Sequence, residues 1–153
     1  MSKYLKLTSL LLIFLSGCLN YTQVTVIKTD GSGNMFIHYW MKWGSARDSL
    51  IVEQLGLFQK DSVYKEFSSE FNKITNVEVY RDFGDSTIHA KVEFDFNTLD
   101  SLNMTPAFRE SQLKIKDGDK NTKIFSQFIA PIATGFGMES KNFSLTYTYY
   151  LPG

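Results

Sequence analysis

The 153-residue chain has one cysteine, two histidines and three prolines. A single cysteine excludes an internal disulfide and any cysteine-rich metal site. Two histidines, His38 and His89, are too few for a histidine-rich zinc centre. Sixteen basic residues balance sixteen acidic ones, so there is no basic stripe and no nucleic-acid partner is expected. No G-x-S-x-G nucleophile elbow is present. The longest apolar run, Leu10 to Leu15, is too short to span a bilayer as a helix. Repeats and low-complexity tracts are missing as well. These absences predict a non-enzyme without cofactor or metal. What is abundant is apolar and aromatic side chain, 43% and 15% of residues, enough for one domain with a real core and too much for disorder.

Beyond residue 18 the chain reads as short strands punctuated by turns. Tyr21 to Lys28 is a strand, and Asp30-Gly31-Ser32-Gly33-Asn34 turns the chain. Met35 to Trp43 returns, with Met35, Ile37, Tyr39, Met41 and Trp43 on one face and Phe36, His38, Trp40 and Lys42 on the other. Both faces are rich in apolar groups, which predicts a strand covered on both sides or curved around a cavity. Gly44 to Lys60 reads as a partly helical connector. Asp61 suits the N-cap of a helix through about Lys73, with Val63, Phe67, Phe71 and Ile74 as its stripe. Thr75 to Phe83 and Thr87 to Asn97 form a hairpin about Gly84-Asp85-Ser86. In its second strand Ile88, Ala90, Val92, Phe94 and Phe96 alternate with His89, Lys91, Glu93, Asp95 and Asn97, one set in the core and one in water.

Thr98 to Leu102 suits a short helix broken by Pro106. Glu110 to Lys116 and Thr122 to Ile129 flank the turn Asp117 to Asn121, and Phe143 to Tyr150 is a last, aromatic strand. This order predicts an α+β domain: a mostly antiparallel sheet of about six to seven strands, one main helix packed across it and a short second helix. The final strand needs a neighbour for its rings and backbone, and Pro152-Gly153 is turn chemistry. A further strand past Gly153 is therefore expected, which would make this a truncated domain.

Residues 1–17 place Lys3 and Lys6 ahead of the Leu10 to Leu15 run, the layout of a secretory signal. The closing Leu15-Ser16-Gly17-Cys18 resembles the lipobox of bacterial lipoproteins. That resemblance implies a signal peptide over 1–17, a diacylglyceryl group on Cys18, and a single lipoprotein domain over 18–153. It places the protein in the cell envelope, on the outer membrane where the host has two membranes, because Leu19 rather than Asp follows the cysteine. Loss of the signal leaves 14 basic against 16 acidic residues. The chain is also similar to the LppM-like lipoprotein domain. The similarity lies in Tyr21 to Val26 directly after the lipobox cysteine, the turn Asp30-Gly31-Ser32-Gly33, and the run Ala90 to Leu102 in which a strand flows into a Leu-containing helix. It implies a small α+β envelope lipoprotein with no established catalytic residues, whose relatives tend to continue past the Pro-Gly.

Candidate chemistry is sparse. Asp117, Asp119 and Asn121 open like a calcium loop, but Thr122 stands where glycine is needed and Phe128 where a bidentate glutamate belongs, so a polar turn is expected. The Asp30 to Asn34 turn leads into a strand, so no helix N-terminus faces it as a phosphate loop would require. His89, Lys91, Glu93 and Asp95 lie on one strand face at about 6.6 Å per two residues, as a solvated face, an acid–base group or a metal site. His38 among aromatics reads as a packed residue. Two functions remain: a non-catalytic envelope module acting by contact with another envelope component, and a binder of lipid or another apolar ligand beside the sheet. The surface for the second would comprise Tyr39, Trp40, Trp43, Tyr147 and Tyr149.

Overall fold

The computed structural model describes residues 19–42, 53, 56–109, 111–120, 122–129 and 143–152. Cys18, Trp43 and most of the 44–60 connector lie outside them. Among the described residues there are seven strands in two sheets and two short α-helices, an α+β arrangement. The strands are β1 (Leu19–Ile27), β2 (Gly33–Lys42), β3 (Asn72–Asp82), β4 (Thr87–Phe96), β5 (Leu113–Asp117), β6 (Lys123–Gln127) and β7 (Phe143–Tyr150). The helices are α1 (Lys60–Phe67) and α2 (Leu99–Asn103), with a 3-10 turn at Pro106–Phe108. In place of one sheet of six to seven strands, five form a sheet in the order β3-β4-β2-β1-β7, and β5 and β6 pair with each other. Pairings are antiparallel except β1 with β7, which run parallel.

Turn chemistry sets the β1–β2 hairpin. Asp30 Oδ1 accepts from the backbone N–H of Ser32 at 3.0 Å and from its hydroxyl at 2.7 Å, and Gly31 takes the positive φ of +82°. Gly33 is required for a different reason: a Cβ there would stand 2.0 Å from the Val26 carbonyl oxygen and 2.6 Å from the Phe96 ring. The backbone of β2 therefore starts in close contact with two neighbours.

The inner face of the large sheet carries the core. Ile37, Ala90 and Val92 are fully buried on it, as are Met35, Phe94 and Phe96 to within 2%. Alternation along β4 follows the sequence reading, with His89, Lys91, Glu93 and Asp95 on the outer face. α1 packs against β3 and β4, where the Phe67 and Phe94 ring centroids are 6.3 Å apart. It is shorter than the helix expected from Asp61 to Lys73. Asp61 sits in its first turn behind the N-cap Gln59, and the helix stops at Phe67. The Asn72 side chain stops it: its Nδ2 donates to the Phe67 carbonyl at 2.7 Å, and its Oδ1 accepts from Ser69 N–H at 2.8 Å. Ile74, expected on the helical stripe, is a residue of β3 instead.

α2 begins at a reciprocal cap, with Ser101 N–H donating to Thr98 Oγ1 and Thr98 N–H to Ser101 Oγ, each at 3.1 Å. Asn103, at its end, clamps the β5–β6 hairpin by donating to the Leu113 carbonyl at 2.9 Å and accepting from the Leu113 N–H at 2.8 Å. The hairpin lies on the same side as the helices, with Leu113 fully buried and Ile115 and Phe125 packed on the core. β5 starts at Leu113 rather than Glu110, and β6 ends at Gln127 rather than Ile129. The five-stranded sheet thus has an inner face under α1, α2 and the hairpin, and an outer face opposite them.

Candidate functional site

Strand register brings the two histidines together. Trp40 of β2 is paired with His89 of β4, which is paired with Tyr80 of β3, so these three form one row across the outer face. His38, Lys91 and Glu78 form the next row. All these side chains except exposed Glu78 are half-buried. The Tyr80 and His89 rings are nearly parallel, 7° apart with centroids at 4.6 Å, and Trp40 lies 5.9 Å from His89 on the other side. The Lys91 ammonium sits 4.9 Å from the Tyr80 ring centroid and 3.4 Å from the Glu78 carboxylate. Phe36 extends the patch beside His38, with centroids 6.3 Å apart.

A hydrogen-bond chain runs under this patch. His38 Nε2 is 3.0 Å from His89 Nδ1, and His89 Nε2 is 2.7 Å from the hydroxyl of buried Thr87, which in turn bonds to Asp85 Oδ1. With the centroids 5.3 Å apart and the planes 20° apart, the two imidazoles meet edge to edge, as an N–H···N bond requires. The carboxylate fixes the direction of the chain. Asp85 can only accept, so the Thr87 hydroxyl donates to it and receives the His89 Nε2 proton; His89 Nδ1 then accepts from His38 Nε2–H. Both rings are neutral in this arrangement. One further proton fits on His38 Nδ1 with every bond kept, whereas doubly protonated rings would oppose two N–H groups. Burial lowers both imidazoles below the ordinary histidine value; the neighbouring His89 and Lys91 add to this for His38, and Asp85 opposes it for His89.

The earlier carboxylate partners, Glu93 and Asp95, are not the ones His89 uses. Glu93 accepts from Asn76 at 3.3 Å, and both of those acids are exposed. The groups that matter, Tyr80, Thr87 and Asp85, were missed as site residues.

The inner face holds a second cluster. Tyr21 Oη donates to Gln23 Oε1 at 3.0 Å, and Gln23 Nε2 donates to Thr25 Oγ1 at 3.0 Å, a ladder along β1 with Gln23 and Thr25 at 1% and 0% exposure. Tyr147 of β7 packs on Tyr21 at 5.6 Å, Tyr149 packs on Phe125 at 4.8 Å and bonds to Gln127, and Tyr39 Oη donates to the Leu57 carbonyl at 2.7 Å. Burial, with Tyr147, Tyr149 and Tyr39 beside it, holds the Tyr21 phenol well above its ordinary value. Burial pushes Tyr149 up to about 12. Of the five residues expected to share an apolar ligand surface, Tyr39, Tyr147 and Tyr149 lie on this inner side around Tyr21. Trp40 is on the outer face and Trp43 is outside the described residues.

Among the described residues no three His, Cys, Asp or Glu side chains gather as a metal site. At the calcium-like turn, Asp117 is bonded by Lys123, which also lowers its carboxyl, and the Thr122 hydroxyl donates to the Asp119 carbonyl at 2.7 Å. No helix among the described residues is long and apolar enough to cross a membrane. Compared with family models, curated proteins and solved structures, the chain matches none.

Proposed function

We propose that this chain is a lipid-anchored, non-catalytic module of a bacterial cell envelope that acts by contact through the outer face of its five-stranded sheet. The observation that carries the reading is the Trp40-His89-Tyr80 row with its His38 partner. It is a preorganised aromatic and polar patch on the face away from α1, α2 and the β5–β6 hairpin. Aromatic and amphipathic rings of this kind are the side chains that dominate protein contact surfaces. The lipobox-like Leu15 to Cys18 supplies the anchor in this reading, and the LppM-like resemblance is its family expectation. β1 begins at Leu19, immediately after Cys18, so the sheet would stand on the membrane without an intervening tether.

The inner tyrosines lend less to an apolar-ligand reading. Tyr21, Tyr39 and Tyr149 have their hydroxyls engaged with protein groups on that side. Mass spectrometry and membrane fractionation of the native protein test the anchor: a diacylated Cys18 fragment is expected, lost together with membrane association in Cys18→Ala. A photo-crosslinker at exposed Glu78 tests the face. The envelope component it captures should be lost in a Trp40→Ala, Tyr80→Ala variant that retains its circular dichroism spectrum. An unmodified Cys18, or capture indifferent to both rings, would defeat the corresponding half of the proposal.

A further inference from the structure

The large sheet has one end that belongs to the anchor. Leu19 pairs with Met41, Lys42 with Thr87, and Thr87 with Asp82. The start of β1, the end of β2 and the β3–β4 turn therefore all lie at the same end of the sheet. At about 4.8 Å per strand spacing, the turn is displaced sideways from Leu19 by about 10–14 Å. At its tip is Phe83, 79% exposed.

We infer that the β3–β4 turn is a second, non-covalent membrane contact in which Phe83 enters the lipid interface beside the anchor at Cys18. The inference rests on the lipid-anchor reading above. Without a tether after Cys18, this end of the sheet is the part of the domain that meets the bilayer surface. The turn that carries this exposed ring is tied back on itself. Asp82 Oδ1 accepts from Gly84 N–H at 2.8 Å and Asp85 Oδ1 from the Thr87 hydroxyl, so both carboxylates are bonded back onto the turn. The β1–β2 turn at the opposite end, Lys28 to Ser32, presents only polar side chains and glycine. Exposure by itself assigns nothing, because Tyr150 and Leu151 are also exposed at that far end. Leu19, the residue that follows Cys18 in sequence, decides between the two ends. Charge does not draw the turn to the bilayer, since among the described residues Asp82, Asp85 and Glu53 stand at this end against Lys42 and Arg81. The partner is therefore a lipid surface met through apolar contact, where aromatic side chains settle at the headgroup level.

The test uses the full chain, processed in its host, purified and reconstituted in phosphatidylcholine vesicles with or without brominated acyl chains. Phe83→Trp should show emission shifted to the blue and a loss of fluorescence to the bromines, after subtraction of the signal from Trp40 and Trp43. Thr29→Trp in the far turn should show neither, and molar salt should leave the Phe83→Trp signal unchanged. Mass spectrometry of the same sample separates the two levels of the argument. An unlipidated Cys18 overturns the anchor reading and the contact together. A lipidated Cys18 with equal quenching of the two variants overturns the contact alone.

Discussion

Truncation of Phe94 probes the inner face where it is most tightly built. The ring is 1% exposed and lies between Met35 of β2 and Ile74 of β3 in the strand register. Above it are the Phe67 ring of α1 at 6.3 Å and the Phe108 ring of the 3-10 turn at 6.2 Å. Phe94→Ala removes apolar surface and leaves a cavity walled by two elements that are themselves pinned, α1 by Asn72 and the 3-10 turn through Thr105, whose N–H and hydroxyl both donate to the Leu102 carbonyl of α2. Collapse is therefore limited, and the cost is about 3–5 kcal/mol, against a whole-domain stability of about 5–15 kcal/mol. In urea, with a slope of about 2 kcal/mol/M, the unfolding midpoint should fall by about 2 M at unchanged slope. Glu93→Ala, one residue away on the outer face, should stay within about 0.5 kcal/mol. A Phe94→Ala loss below about 1 kcal/mol, or equal losses from both variants, would refute the assignment of faces in β4.

Gly33→Ala places a methyl against the Val26 carbonyl and the Phe96 ring; about 1–3 kcal/mol or more should be lost, and an unshifted melting temperature would contradict the close approach. Asn103→Ala strands both backbone groups of Leu113; a cost of about 1–3 kcal/mol and faster hydrogen exchange at the Leu113 amide are expected, and unchanged exchange would show that the clamp is idle. The histidine pair predicts acid sensitivity. Burial lowers both rings, and His89 with Lys91 reinforces this at His38, while Asp85 and Asp82 oppose it at His89. The folded chain thus binds fewer protons than the unfolded one just below the ordinary histidine value of about 6.5. Stability is complete above that value and falls as pH drops through it toward the lowered folded values, which urea midpoints from about pH 8 to 5 would record. Replacing His38 and His89 by Gln should flatten that decline, and an unchanged slope in the double variant would refute the assignment.

Local pattern made the hairpins legible, and long-range pairing was not. The alternation over Ile88 to Phe96 assigned both faces of β4, and Thr98 with Pro106 bracketed α2, because each rests on neighbours in sequence. The end of α1 was misplaced because Phe71 and Ile74 continue a helical spacing. The competing signal was one side chain, Asn72, which takes the Phe67 carbonyl and starts a strand. The aromatic character of β7 was evident, yet nothing in Phe143 to Tyr150 says that its partner is β1, in parallel, more than a hundred residues away. The histidine chain was hidden for the same reason. His38 and His89 meet only through the β2–β4 register, and the two apolar-looking faces of β2 turned out to serve different ends, core and patch.

β1 shows why hydrophobicity alone could not have placed the sheet. Its outer set holds Val24 and Val26, while its inner set holds Gln23 and Thr25, the reverse of what burial would choose for mid-strand residues. A one-residue slip would exchange the two sets. Hydrogen bonding opposes that slip. Gln23 and Thr25 are buried but bonded to each other, Tyr21 completes the ladder, and no buried side-chain nitrogen or oxygen among the described residues lacks a partner. Slipped outward, these groups would trade their mutual bonds for water, and Val24 and Val26 would turn toward the tyrosines of β7. The ends of the strand act in the same sense: Leu19 packs on the core, Ile27 is 2% exposed, and the Val26 carbonyl approaches Gly33 at a distance only glycine permits. Satisfied polar groups in a core fix an arrangement that apolar burial leaves degenerate. In β1 they fix which way the strand between β2 and β7 faces, and therefore which tyrosines are gathered inside.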